Sequence, residues 1–242
     1  MITRALLAQM RVEVRLTLRR GENILITLLI PAVVLVAFGA GEDTPTGYAS
    51  TVDFLLPGVL ALAVMSTGMV SLGIATAYER YYRVLKRLGA TPLNRLDLLA
   101  AKIGGVLVVE ALQIAALVAL GACLGWRPSP TVWAALPLLV LGSACFAALG
   151  LLMAGALRAE ATLGLANILY LVFLATGGIV APLDRLPSRL ADILRLLPAT
   201  ALARALQDVM AHQSLPGLLD PFIVLLWTAG AIYLAVRTFR WE

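Results

Sequence analysis

The apolar positions of this chain fall into six long runs separated by polar stretches. The runs lie at 24–40, 54–77, 103–124, 133–157, 163–180 and 221–236. A helix needs about 20 predominantly apolar residues to cross a bilayer, with about 17 as a lower bound, so the runs read as spans. The first is short and is broken by Pro31. No repeat of fixed period links the six.

Three polar stretches carry a helical pattern of their own. In 2–22, Leu6, Met10, Val14 and Leu18 form one i, i+4 row, and Arg4, Arg11, Arg15 and Arg19 line the opposite side. That arrangement lays a helix on a membrane surface, with its Arg face toward headgroups. In 78–102, Tyr81, Val84, Leu85 and Leu88 share a face of a short helix. Gly89 stops it, Pro92 forbids its continuation, and a second helix runs into the third span. In 181–220, Leu186, Leu190, Leu194 and Leu197 recur at helical spacing between Pro182, Pro187 and Pro198. Span five ends in Thr176, Gly177 and Gly178, so the chain is expected to break there into short helices that dip into the outer leaflet. Irregular backbone at that depth must be buried in protein or line a cavity.

The pattern therefore predicts an all-α polytopic membrane protein of six transmembrane helices. An amphipathic interfacial helix leads it (1–23), and short outer-leaflet helices lie between spans five and six. Composition agrees: 61% of the 242 residues are apolar and 14% charged, and mean hydropathy is +0.92. Soluble domains are nearer half apolar and a quarter charged. The length fits one membrane domain over 1–242, with a cytoplasmic region at 78–102 and an outer-face region at 181–220. The Arg-rich start and the missing small-residue cleavage site predict a retained first span rather than a cleaved signal.

Charge sets the orientation. With both termini cytoplasmic, fourteen of the nineteen Lys and Arg residues fall inside, the direction of the positive-inside bias. Four of the five exceptions lie in 181–220, balanced by Asp184, Asp192, Asp208 and Asp220. Trp126, Trp133, Trp241 and Tyr78 fall at span ends, where aromatics favour the interface. The net charge of +5 is not a nucleic-acid signal, because the basic residues sit in loops between apolar runs and face anionic lipid there.

Catalytic chemistry is absent from the pattern. Lys86 and Lys102 are the only lysines and neither follows a glycine, so there is no phosphate loop. His212 is the only histidine and reads as a solvated loop residue. Cys123 and Cys145 fall at different depths, so no disulfide is expected, and no metal-binding set is present. The chain is not expected to be an enzyme on its own, or to bind a cofactor. Glu110 is the one ionisable group well inside a span. It either binds a cation, a proton or substrate, or pairs with a polar group between helices. Thr27, Ser66, Thr67, Ser71, Asn167, Tyr170 and Thr176 either line a substrate pathway or make interhelical hydrogen bonds.

The stretch from Glu79 to Pro92, ERYYRVLKRLGATP, resembles a signature of ABC-2 type permeases, the membrane subunits of a class of ATP-binding-cassette exporters. The pattern is E-x-x-x-G-T-L-x-x-L-x-x-T-P with a later Lys. Glu79, Leu85, Leu88, Thr91, Pro92 and Lys102 match, and the Gly-Thr pair is not kept. Pro182 to Pro187 resembles the family's outer-face P-x-x-x-L-P element. The resemblance implies a permease that docks two copies of a separate ABC ATPase, through Glu79, Tyr81, Arg83, Val84, Leu85, Arg87, Leu88, Thr91 and Pro92. ATP and Mg would belong to that ATPase. A second permease copy, identical or related, would complete the pathway, with spans one, two and five nearest the axis. Localisation would be the bacterial cytoplasmic membrane, and the cargo hydrophobic or amphipathic, moved out by alternating access. The competing expectations are a secondary transporter coupled through Glu110 and a non-transporting assembly or immunity subunit on the same fold.

Overall fold

A computed structural model describes residues 2–19, 21–39, 48–89, 95–179 and 187–238. Among them the regular structure is helical: α1 (Ile2–Arg19), α2 (Gly21–Gly39), α3 (Thr51–Met65), a π-helical stretch (Ser66–Ser71), α4 (Leu72–Tyr81), α5 (Val84–Gly89), α6 (Arg95–Cys123), a 3-10 turn (Val132–Ala134), α7 (Ala135–Ala156), α8 (Ala159–Thr176), α9 (Ser188–Arg195), α10 (Pro198–Met210) and α11 (Leu219–Thr238).

Among the described residues five helices are long and apolar enough to cross a membrane: Thr51–Tyr81, Leu96–Cys123, Val132–Ala156, Ala159–Thr176 and Leu219–Thr238. They correspond to expected spans two to six. The expected first span is helical as α2, but its described apolar part, Thr27–Gly39, is shorter than a crossing needs. Five spans are therefore shown where the sequence pattern predicts six.

Thr51–Tyr81 is the axis of the bundle. Its start is set locally: Ser50 accepts the Asp53 backbone N–H at 3.1 Å and donates to the Asp53 carboxylate at 2.7 Å. A capping oxygen and an acid in the first turn both stabilise a helix N-terminus. The rest of the chain wraps this rod, burying 89% of its most apolar window, against 28% for Ala159–Thr176. Span two is thus enclosed by its own chain.

The enclosure depends on missing side chains. A Cβ added at Gly68 would lie 2.9 Å from the Ala147 amide nitrogen, and one at Gly150 would lie 2.7 Å from the Gly68 carbonyl oxygen. A Cβ at Gly73 would meet Gly150 Cα at 3.0 Å. Small residues let membrane helices approach to backbone contact, where dispersion and hydrogen bonding hold them. The π stretch Ser66–Ser71 sits at this crossing, as π-bulges often do where a helix must re-aim a face.

The polar stretches are used inward. On α1, Met10 lies over Gly104 and Glu13 over Gly105 of α6, so this side rests on protein, while Val12 and Leu16 are exposed. The expected lipid-facing row of α1 is therefore partly spent on span three. Its other members, Leu6 and Leu18, lie outside the described side chains. α10 is buried on nearly every side against α3, α7 and α11. Ser129 and Thr131 donate to its Val209 carbonyl, and Arg204 lies 3.6 Å from Asp220 at the start of α11. Of the expected row in 181–220, Leu194 is buried, Leu190 exposed and Leu186 outside the described residues. Trp126 is buried rather than interfacial, Trp133 is exposed and Trp241 lies outside the described residues. His212 is exposed, as expected, and stacks near Tyr48.

Candidate functional site

Three charged side chains meet where α1, α4 and α6 converge. Lys102 on α6 is 1% exposed, and its Nζ lies 2.7 Å from Glu79 on α4 and 3.0 Å from Glu13 on α1. Gln9 donates to Glu13 at 2.9 Å. Gly104 and Gly105 make the meeting possible, because a side chain at either would hold α1 away from α6. An ammonium taken out of water loses several kcal/mol of hydration unless paired. Here two carboxylates pair it, and they keep partial access to water, at 18% for Glu79 and 11% for Glu13. Glu79 and Lys102 were both singled out from the sequence. Glu13 was not, although it is the only acid in α1.

Glu79 begins the segment that leaves the bundle. α4 ends at Tyr81, and the chain turns through Tyr82 and Arg83, whose backbone N–H groups donate to the carbonyls of Tyr78 and Arg80. Arg83 has φ 59°, in the left-handed region that glycine favours. Counted from Glu79, Arg83 stands at the glycine of the permease pattern, so an Arg occupies a conformation that costs it about 1 kcal/mol.

α5 then runs over the bundle with two unlike faces. Leu85 is fully buried among Leu72, Leu98, Leu99, Val106 and Leu151. It anchors α5 to its own chain and is not free to meet a partner. Tyr81 and Tyr82 are 62% and 67% exposed, and Val84 joins them on the surface. The rings of Tyr78, Tyr81 and Tyr82 cluster with centroids 5.2–6.5 Å apart. Arg83, Lys86 and Arg87 are also exposed. The surface offered is thus aromatic and basic. Tyr82 and Lys86 belong to it although the sequence reading left them out. The side chain of Leu88, and Thr91 and Pro92, lie outside the described residues.

A family model described as ABC-2 family transporter protein matches residues 41–237. The chain belongs to the ABC-2 transporter family. It is also similar to "Putative transport permease YvfS" of Bacillus subtilis (strain 168), 27% identical over 191 residues that cover 77% of this chain and 78% of that one. The protein is therefore a multi-pass membrane transport permease. Glu79 and Lys102 lie within the matched residues, and α1 with Glu13 lies before them.

The expected pathway residues of this permease divide into two groups. Thr67 donates to Gln113 at 2.7 Å, and Gln113 donates to Thr27 at 2.7 Å, so one buried chain of hydrogen bonds ties spans two and three to α2. Ser66 and Tyr170 are buried side by side between α8 and the π stretch, and Ser71 is half-buried. Thr27, Thr67 and Gln113 thus join helices of one chain. Asn167 and Thr176 instead sit on α8 and donate to carbonyls of their own helix, Leu163 and Val172, with Asn167 exposed. Glu110 is 2% exposed, one turn before Gln113 on α6. Neither of its oxygens has a hydrogen-bond partner of good geometry. Ser143 is beside it but donates to the Leu139 carbonyl.

Proposed function

We propose that this permease is the membrane subunit of an ATP-driven exporter, energised by an ABC ATPase on a separate chain. One observation carries the reading: the exposed aromatic and basic face of α4–α5 is attached directly to the buried Glu13–Lys102–Glu79 cluster. An ATPase pulling on Tyr81, Tyr82 and Arg87 moves α5 and the end of α4 as one piece, because Leu85 roots them in the core. Lys102 then passes the displacement to α6 and α1, since separating buried opposite charges is costly. ATP and Mg are held by the ATPase, of which two copies serve two permeases. The second permease, identical or related, packs against α2 and α8. These helices leave Val33, Val36, Ile168 and Leu171 exposed, together with Asn167, which is tolerated in a span only toward protein or water. The membrane is the bacterial cytoplasmic membrane, both termini lie inside, and the cargo is hydrophobic or amphipathic.

The test is efflux from inverted vesicles carrying the permease with its co-purifying ATPase. ATP-dependent, vanadate-sensitive transport is expected, and Tyr82→Ala with Arg87→Glu should lose the ATPase without losing membrane insertion. The unpartnered Glu110 favours one other reading, a secondary transporter coupled to protons. Transport that ignores vanadate and stops when the proton gradient is collapsed would establish that reading and overturn ours.

A further inference from the structure

A cavity of about 480 Å³ opens beside the α4–α5 turn, between the end of span two and the α7–α8 connection. Its lining includes buried Ala77 and Ala159 and exposed Tyr81. Arg80, Arg83, Lys86 and Arg158 line it, against the single acid Glu160. Arg80 is part of the wall: its guanidinium donates to the Gly155 carbonyl at 2.6 Å and to the Leu157 carbonyl, closing the C-terminus of α7. Among the described residues Arg83 and Arg158 have no ion-pair partner, and both are exposed and line the cavity.

Two further features favour an anion there. α8 begins at Ala159 with Arg158 at its N-cap and no side chain capping it. Its first amide N–H groups are therefore unclaimed by any cap and add partial positive charge. Arg83 meanwhile holds its left-handed backbone, although glycine would fit without strain. A strained residue persists where its surroundings or its task require it, and here the conformation sets a guanidinium at the cavity.

We propose that this cavity binds the phosphate of an anionic phospholipid headgroup. A phosphate oxygen pair suits the planar fork of Arg83 or Arg158. The cavity lies at the ends of two membrane spans, beside a tyrosine cluster of the kind found at headgroup level. One turn along α8 from Ala159, exposed Leu163 starts an apolar track for an acyl chain. A soluble phosphate has no use for that track, which favours lipid as the source. The site shares Tyr81, Arg83 and Lys86 with the face offered to the ATPase, so lipid binding is measured on the permease without that partner. Because Arg83 belongs to the α4–α5 turn and Arg158 to the α7–α8 connection, a bound headgroup ties spans two, four and five together at this end.

The experiment is native mass spectrometry of the detergent-purified permease titrated with phosphatidylglycerol, phosphatidylcholine or inorganic phosphate. Phosphatidylglycerol should bind at least tenfold more tightly than phosphatidylcholine. Arg83→Gly and Arg158→Gln should each lower its affinity fivefold or more. Arg83→Gly also relieves backbone strain, so its melting temperature should not fall, and this separates loss of the site from loss of the fold. Arg127→Gln removes the same charge elsewhere and should leave binding unchanged. Unaltered phosphatidylglycerol binding in both pocket variants would overturn the proposal. So would retention of inorganic phosphate as strong as that of the lipid, which would make the ligand a soluble anion. Loss of a co-purifying ATPase in both variants with lipid binding intact would reassign the cavity to an acidic segment of that partner.

Discussion

Replacing Lys102 by Met should be among the most damaging single changes available in this permease. The substitution nearly preserves volume, so packing is a minor term. What is lost is the ammonium between two carboxylates, at 2.7 and 3.0 Å. At an effective dielectric near 20, each such pair is worth about 5–6 kcal/mol of Coulomb energy before desolvation is subtracted. Desolvating the buried ammonium takes back several kcal/mol, and removing one partner of a buried pair typically costs about 3–5 kcal/mol. The upper half of that range applies here, because Glu79 and Glu13 are left facing each other. Replacing all three by Met, Gln and Gln should cost far less, since no unpaired charge remains. The assay can use Cys145, which is fully buried, while Cys123 is exposed and would be changed to Ser. A thiol-reactive dye then reports thermal opening of the bundle in detergent. A Lys102→Met loss under about 1 kcal/mol, or a triple variant no more stable than the single one, would refute the argument that charge pairing holds this junction.

Gly150→Val should wedge spans two and four apart and lower stability by about 1–3 kcal/mol, read by the same dye, because its Cβ would already lie 2.7 Å from the Gly68 carbonyl oxygen. Gln113→Leu removes the bridge between Thr27 and Thr67 and should cost about 1 kcal/mol; a transport defect without any stability loss would show instead that these residues face cargo. Leu85→Asp should unfold the α5 region at a cost above about 3 kcal/mol, visible as poor yield and a lowered melting temperature. Tyr82→Ala should leave the melting temperature within about 1 °C and act on ATPase co-purification alone, as expected of a surface residue.

Much of this architecture was legible in the order of residues, for a physical reason. A bilayer demands long apolar runs, places Lys and Arg on one side, and forces the backbone into helices, and all three demands are local or compositional. The five long apolar helices and the helical character of α1 and α5 follow from them. The cap at Ser50 and Asp53 is equally local.

Pairing is a different matter, because it joins residues that no local period relates. The i, i+4 row through Tyr81, Val84, Leu85 and Leu88 marks one face of α5, yet the folded chain divides that row, burying Leu85 and exposing Tyr81 and Val84. Nothing local marks Gly68 and Gly150 as the places where two helices meet backbone to backbone. Lys102 finds Glu13 across 89 residues of chain, and Gln113 finds Thr27 across 86. Arg83 reveals its left-handed turn only in three dimensions. The sequence by itself determined a helical membrane bundle with a short basic helix between its second and third apolar runs, because hydrophobicity and charge act residue by residue. The tertiary structure decided which polar groups that bundle consumes for its own cohesion and which it leaves to face a partner, because burial and pairing belong to distances between helices.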